Sequence, residues 1–250
     1  MKKIIATWIF WTCLTVPAWA GVELEGFLWL LTPQGNASVG IDGLQGTKVD
    51  LKNDFGYEDS KIVPGLRFVF GNTHQGVLSA FQLKASADHT INRTVRFGQN
   101  EFNINERISS AIELTVLQGF YRFNIGPELF HGGLLAGAEY ISVSAEASSP
   151  RLGKVRGNVD TGMILIGAFA EANPLSFLRI RGSLMAGTFD IGDVSASYLD
   201  MEFTALAFIF SGFHAGLGYR HIGVDAKHTN LPVEIDLSFS GPIFYVGFEW

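Results

Sequence analysis

VEIDLSFSGPIFYVGFEW, residues 233–250, alternates at period two almost from end to end. Phe244, Val246, Phe248 and Trp250 share one parity, with Tyr245, Gly247 and Glu249 between them. Upstream, Val233, Ile235, Leu237 and Phe239 share the other parity and alternate with Glu234, Asp236 and Ser238. Ser240-Gly241-Pro242 sits at the join, where a β-bulge would return both apolar sets to one face. A helix would scatter these charges around its circumference, so the segment reads as a strand.

The same period recurs upstream. Leu199, Met201, Phe203, Ala205 and Ile209 alternate with Tyr198, Asp200, Glu202 and Thr204. Leu178, Ile180 and Leu184 alternate with Arg179, Arg181 and Ser183, and Ile62, Pro64, Leu66, Phe68 and Phe70 flank Arg67. Turn chemistry divides the chain into about ten strands, at 21–31, 60–71, 76–90, 102–124, 128–146, 156–172, 177–190, 195–210, 213–226 and 233–250. Short connections (Gly71 to His74, Asn124 to Pro127, Asn173 to Ser176, Ser211-Gly212) alternate with more variable ones, the first about 28 residues long.

Composition narrows the class. The chain is 47% apolar and only 17% charged, with a mean hydropathy of +0.22. Its longest uninterrupted apolar run after residue 20, Gly162 to Ala170, is about half the ~18 residues of a spanning helix. A chain this apolar, with its apolar residues hidden in alternation, fits a closed antiparallel transmembrane β-barrel. Ten strands put both termini on the periplasmic side, where the short turns also lie. Aromatics gather at those ends: Phe70, Phe120, Tyr121, Phe123, Phe130, Phe169, Phe177, Phe210, Phe213, Phe248 and Trp250. That placement suggests an interfacial girdle.

Residues 1–20 read as a cleavable signal peptide. Lys2 and Lys3 begin it, Ile4 to Val16 is apolar, and Ala18-Trp19-Ala20 is a small-x-small site before Gly21. Cys13, the one cysteine, follows Phe10-Trp11-Thr12 and lacks the small residues of a lipoprotein site. Residues 21–250 then form one barrel domain without disulfides. They carry 16 basic against 24 acidic residues, a net charge of −8, which excludes a basic nucleic-acid surface.

A last strand of alternating apolar residues closing on an aromatic (Phe244, Val246, Phe248, Trp250) resembles the C-terminal assembly signal of bacterial outer-membrane barrels. With the leader and ten strands, the chain resembles the small single-domain outer-membrane β-barrel proteins of Gram-negative bacteria. Gly46-Thr47-Lys48-Val49-Asp50-Leu51, running into Asn53-Asp54-Phe55-Gly56, resembles a feature of a poorly characterised branch of that family. The resemblance implies residence in the outer membrane as a monomer. It also implies lipid and lipopolysaccharide as surroundings, and barrel-assembly machinery and periplasmic chaperones as partners. It implies no cofactor.

If the apolar parity faces lipid, its alternates line the lumen. The expected lumen charges are Glu23, Glu25, Arg67, Lys84, Glu113, Arg122, Glu139, Arg179, Arg181, Asp200, Glu202 and Arg220, six of each sign. Pairing the strands about Ile191 to Val194 sets Arg181 diagonal to Glu202. In so narrow a barrel this balance favours a salt-bridged plug, and with it a structural role played through surface loops. A narrow pore or small-ligand barrel is the alternative, and a lipid-modifying or proteolytic enzyme the third reading. For an enzyme, Asp88-His89, Asp225 and His228 are the groups near the outer rim, but neighbouring strand residues point to opposite faces. His74, His131 and His214 fall at the periplasmic end, and no His-x-Ser pair occurs. Asp50, Asp54, Glu58 and Asp59 could attract a cation, yet Lys48, Lys52 and Lys61 are interleaved, so no metal site is expected.

Overall fold

The computed structural model describes residues 21–250 apart from 40–46, 55, 58–59, 91–93, 98–99, 152, 192 and 229–232. The expected signal peptide lies outside the described residues. Ten long strands make the wall: β1 (Val22–Val39), β3 (Lys61–Gly71), β4 (His74–Thr90), β7 (Arg107–Ile125), β8 (Phe130–Ser149), β9 (Gly153–Leu175), β10 (Leu178–Ile191), β11 (Val194–Phe210), β12 (Phe213–His228) and β13 (Val233–Glu249). Of the short strands, β2 (Val49–Asp50) pairs with β1, and β5 (Val95–Phe97) pairs with β6 (Asn100–Phe102).

Each wall strand pairs antiparallel with its neighbour, and β13 closes on β1 in a register running from Glu23↔Glu249 to Val39↔Val233. Closure leaves no edge whose backbone groups lipid would have to satisfy. Four short turns join strands at the end holding residues 22 and 249. In the turn between β11 and β12, Gly212 has φ +76°, and a Cβ there would strike the Glu249 carbonyl.

On the lower half of the wall the outward parity is apolar. Leu24, Leu28, Ile62, Leu66, Leu117, Ile164, Ile166, Phe203, Leu217, Phe244 and Val246 are all exposed. On β13 this belt runs from Pro242 to Trp250. Nine residues at ~3.3 Å each, tilted ~40°, rise about 23 Å, close to the ~25 Å apolar band of such barrels. Its lower rim carries outward Phe70, Tyr121, Phe130, Phe177, Phe210, Phe248 and Trp250. Phe120 and Phe169, expected in that girdle, are instead buried in the lumen because they share parity with Gln118 and Glu171.

Above the belt the pattern inverts. β13 has no bulge: its register against β12 is unbroken through Ser240, Gly241 and Pro242, and against β1 the ladder skips Gly241 and Pro242 but resumes unshifted, Trp29↔Ile243 and Thr32↔Ser240. With no residue inserted, parity is conserved, so Ile235, Leu237 and Phe239 face inward while Phe244 to Trp250 face lipid. Leu237 and Phe239 pack on the core, and Glu234 and Asp236 are exposed. The upper wall is an ordinary water-facing barrel stacked on a lipid-facing one.

β1 also runs further than its sequence suggests, through Pro33 and Gly35. The β3 ladder ends at Leu31↔Lys61, so β13 alone flanks β1 at Pro33, while the Gly35 carbonyl also accepts the Leu51 amide at 3.1 Å, next to the β2 pairing.

Candidate functional site: a layered lumen

Three layers fill the lumen from the periplasmic end upward. The lowest holds Arg122, Arg179, His131, Glu171, Glu23 and Glu249. Arg122 Nη2 reaches Glu171 at 3.0 Å while its guanidinium lies 3.7 Å from the centre of the Phe169 ring. Arg179 is shared between Glu171 at 3.2 Å and Glu249 at 2.9 Å.

The middle layer is a charge network spanning the barrel. Arg181 from β10 crosses to Glu25 on β1, at 2.9 and 3.1 Å to the two carboxylate oxygens, and its Nε donates to Thr204. Arg67 from β3 donates to both oxygens of Glu202 on β11. Arg220 on β12 holds Asp200 through two nitrogens, at 3.1 and 2.7 Å, and donates to Gln118 Oε1. Glu139 ends the chain of contacts, accepting from Gln118 at 2.5 Å and from the Tyr198 hydroxyl at 3.1 Å. Bidentate arginine–carboxylate pairs of this kind are the strongest hydrogen bonds available to side chains.

His214 sits between the two lower layers with no exposed surface. Its Nε2 faces Glu25 at 3.2 Å and Glu23 at 3.4 Å, and its Nδ1 faces the Gly212 carbonyl at 3.3 Å. Both ring nitrogens meet acceptors, an arrangement that only the imidazolium satisfies on both sides. Gly247 makes the room, since a Cβ there would lie 2.5 Å from His214 Nε2.

The top layer is apolar. Phe27, Trp29, Leu31, Val63, Phe81, Leu83, Val116, Leu165, Ile222 and Ile243 are buried across the lumen. Trp29 and Phe81 meet edge-to-face at 5.9 Å, and both stand over Arg220, whose guanidinium carbon lies 5.4 and 5.0 Å from their ring centres. Above them, Leu51 and Tyr57 from the first outer connection join the same core. Asp50 and Asp54 there are tied to their own backbone: Asp54 accepts from the Asp50 amide at 2.8 Å, and Asp50 from that of Asn53 at 2.6 Å. Glu58 and Asp59, named with them as a possible cation site, lie outside the described residues.

Ten of the twelve expected lumen charges lie in this interior: Glu23, Glu25, Arg67, Arg122, Glu139, Arg179, Arg181, Asp200, Glu202 and Arg220. Lys84 and Glu113 do not. They point outward, bonded to each other at 3.0 Å on the solvated upper wall, where polar residues belong outside. Arg181 is diagonal to Glu202 in the register, yet its guanidinium pairs with Glu25 across the lumen. Sequence reasoning missed Glu171, Gln118, Tyr245 and His214 as lumen groups. His214 is accessible through parity, being in step with Arg220, whereas Glu171 is in step with Phe169, which the sequence alone places in the outer girdle. The buried edge of the glutamine and tyrosine carries no charge signal to follow.

No family model matches the chain, and no curated protein matches it. Among solved structures it is similar to the outer-membrane protease OmpT of Escherichia coli, with a TM-score of 0.59 and 9% identity over 94% of this chain and 97% of that one. The translocator domain of the autotransporter NalP from Neisseria meningitidis aligns at TM-score 0.41 and 10% identity, over 99% and 95% of the two chains. The Yersinia pestis attachment invasion locus protein Ail aligns at 0.40 and 14%, over 92% and 99%. The fold is that of the outer-membrane β-barrels. With its apolar belt and closed wall, the chain is an integral β-barrel protein of the bacterial outer membrane.

Proposed function

We propose that the protein is a sealed, non-conducting barrel that acts through its surfaces rather than through a transmembrane path. One observation carries this reading: an apolar layer anchored by Trp29 and Phe81 lies directly on a bidentate arginine–carboxylate network. Ions crossing would have to shed water in the first and break paired charges in the second, and both are costly in a low-dielectric lumen. Export by cleavage after Ala20, and recognition of Phe244, Val246, Phe248 and Trp250 by the assembly machinery, belong to the same reading. A planar-bilayer recording tests the seal. Purified wild-type barrel is expected to give no steady conductance, and a large, stable single-channel step overturns the proposal.

A proteolytic role of the kind named for OmpT finds less support. Asp88 and Asp225 are exposed on the outer face of the wall, and the Asp88 carboxylate is taken up by Ser109. His89 has the opposite parity and lies under the outer connection, against Gly56. These groups do not converge on a common point where a base could activate water.

A further inference from the structure

A cavity of about 70 Å³ lies between the lowest and middle layers of the lumen. Arg122 and Glu171 line it from the lowest layer, and Arg67, Arg181, Arg220, Asp200 and Glu202 from the middle one. Ser79 on β4 and Ser183 on β10 face it between the charges. Its volume is several times the ~10–15 Å³ that one water molecule needs, so a small occupant has room.

The acceptors of this lining are taken. Arg220 holds both oxygens of Asp200, Arg67 both of Glu202, and Arg122 and Arg179 one each of Glu171. Two of its donors are not. Arg220 Nη1 and the Ser79 hydroxyl have no hydrogen-bond partner among the described residues, and these residues are only 1% and 7% exposed. Donors left unmet at such depth are costly. Immediately around the cavity four guanidinium groups stand against three carboxylates, and Glu25, the partner of Arg181, lies outside the lining. The missing group is therefore an acceptor, and a negative one is favoured. Water meets the same donors but brings two further hydrogens to a wall whose carboxylate oxygens already hold donors. A divalent anion would overshoot the single surplus charge. Phe120, Leu135 and Met185 complete the lining, which suits a compact, polarisable ion.

We propose that this cavity binds a small monovalent anion of the halide class. It is reached from the periplasmic side, past Arg122 and Glu171, which also line the lower mouth of the lumen. The site does not depend on the seal above it, which the conductance recording tests separately. The probe is bromide. Crystals of the detergent-folded barrel grown in sodium bromide are expected to show an anomalous-scattering peak in the cavity, within hydrogen-bond reach of Ser79 Oγ and Arg220 Nη1. In solution, bromide replaces gluconate, which is too large for the cavity, at constant sodium concentration while urea unfolding is followed in lipid. The unfolding midpoint should rise with bromide and level off, as for any ligand that binds only the folded state. Ser79→Ala should weaken the fitted bromide affinity about tenfold, the scale of one hydrogen bond to a charged group. Ser144→Ala on the outer wall should leave it unchanged. Folding of each variant is read from its heat-modifiable mobility, and if Ser79→Ala does not fold, Ser183→Ala carries the test with the same expected weakening. A cavity that shows water alone, a midpoint that bromide does not raise, or equal weakening by Ser144→Ala overturns the proposal.

Discussion

The lower and upper halves of the wall are built by one set of strands with one unbroken parity, yet they obey opposite rules. Below Pro242 on β13, apolar residues face out and polar residues in; above it, Leu237 and Phe239 face in while Asp236 faces out. On β13 the change falls where the β1 ladder skips Gly241 and Pro242 without any shift of register. What changes is the medium: hydrocarbon on the outside below, water above. The lumen is layered within this frame, with arginine–carboxylate pairs low in the belt and apolar packing from Trp29, Val63, Leu165 and Ile243 beginning in its upper part and continuing above it. A strand can thus cross from membrane to solvent without a bulge, provided its hydrophobic residues exchange parity at the boundary.

The largest effect expected from this contrast is at the charge network of the lower half. Arg220→Met leaves Asp200 buried beside Gln118 with its principal cation gone. Removing one partner of a buried pair costs ~3–5 kcal/mol. Urea unfolding in lipid should show that loss, together with early opening of the middle layer by hydrogen exchange. A change below ~1 kcal/mol would mean that the layer is hydrated and its charges are independently solvated.

The medium itself is tested by placing one arginine on the same outer face at two heights. Phe203 is exposed in the apolar belt, whereas Ser144, opposite Glu113 in the register, faces water on the upper wall. Phe203→Arg should cost ~2–4 kcal/mol in lipid. Ser144→Arg should stay within ~0.5 kcal/mol, as for an ordinary surface substitution. Equal costs would place the hydrocarbon boundary above Ser144 and dissolve the contrast.

A smaller effect is expected where the outer end is tied together. Glu106 accepts from the Asn103 amide at 2.8 Å and meets Arg151 at 3.4 Å. A hydrogen bond from Ser149, followed by those contacts, holds its carboxyl below the usual carboxylate range. The tie is therefore complete above the unfolded value of ~4.3 and is lost as pH falls through the depressed folded value. Glu106→Gln should cost about 1 kcal/mol at neutral pH. The difference from wild type should vanish in strong acid, and a difference that persists there would assign the tie to packing.

The lipid-facing half was readable because its signal is redundant: Leu199 to Phe203 and Phe244 to Trp250 alternate, flank charges and end in aromatics. The upper half carries the same alternation with nothing to say which side is wet. Parity alone therefore placed Ile235 and Leu237 with Phe244, and demanded a bulge that the strand does not contain. The same ambiguity put Lys84 and Glu113 in the lumen. Partners in the site were less readable still. Arg181 finds Glu25 156 residues away, a contact fixed by barrel diameter and side-chain reach, which no local pattern encodes. His214 shares parity with Arg220, but its contacts depend on Gly247 leaving space on the neighbouring strand, which parity does not encode.

Lys84 and Glu113 supply the finest test of the boundary, and the smallest effect. They are directly cross-strand, both largely exposed, and bonded at 3.0 Å on the outer face of the upper wall. Gln82 shares the contact, donating to Glu113 at 2.9 Å, so the carboxylate keeps a partner if the lysine is removed. An exposed pair in water gains little Coulomb energy over its hydration and loses side-chain freedom in forming, for a net worth of ~0–1 kcal/mol. Lys84→Gln should therefore lower stability by no more than about 0.5 kcal/mol, and less still at 0.5 M salt, where screening removes most of what remains. In the lumen the same substitution would orphan a buried carboxylate at several times that cost, with little dependence on salt. A loss of ~3 kcal/mol that salt does not relieve would put this pair inside the barrel, and with it the boundary between the two halves above residue 84.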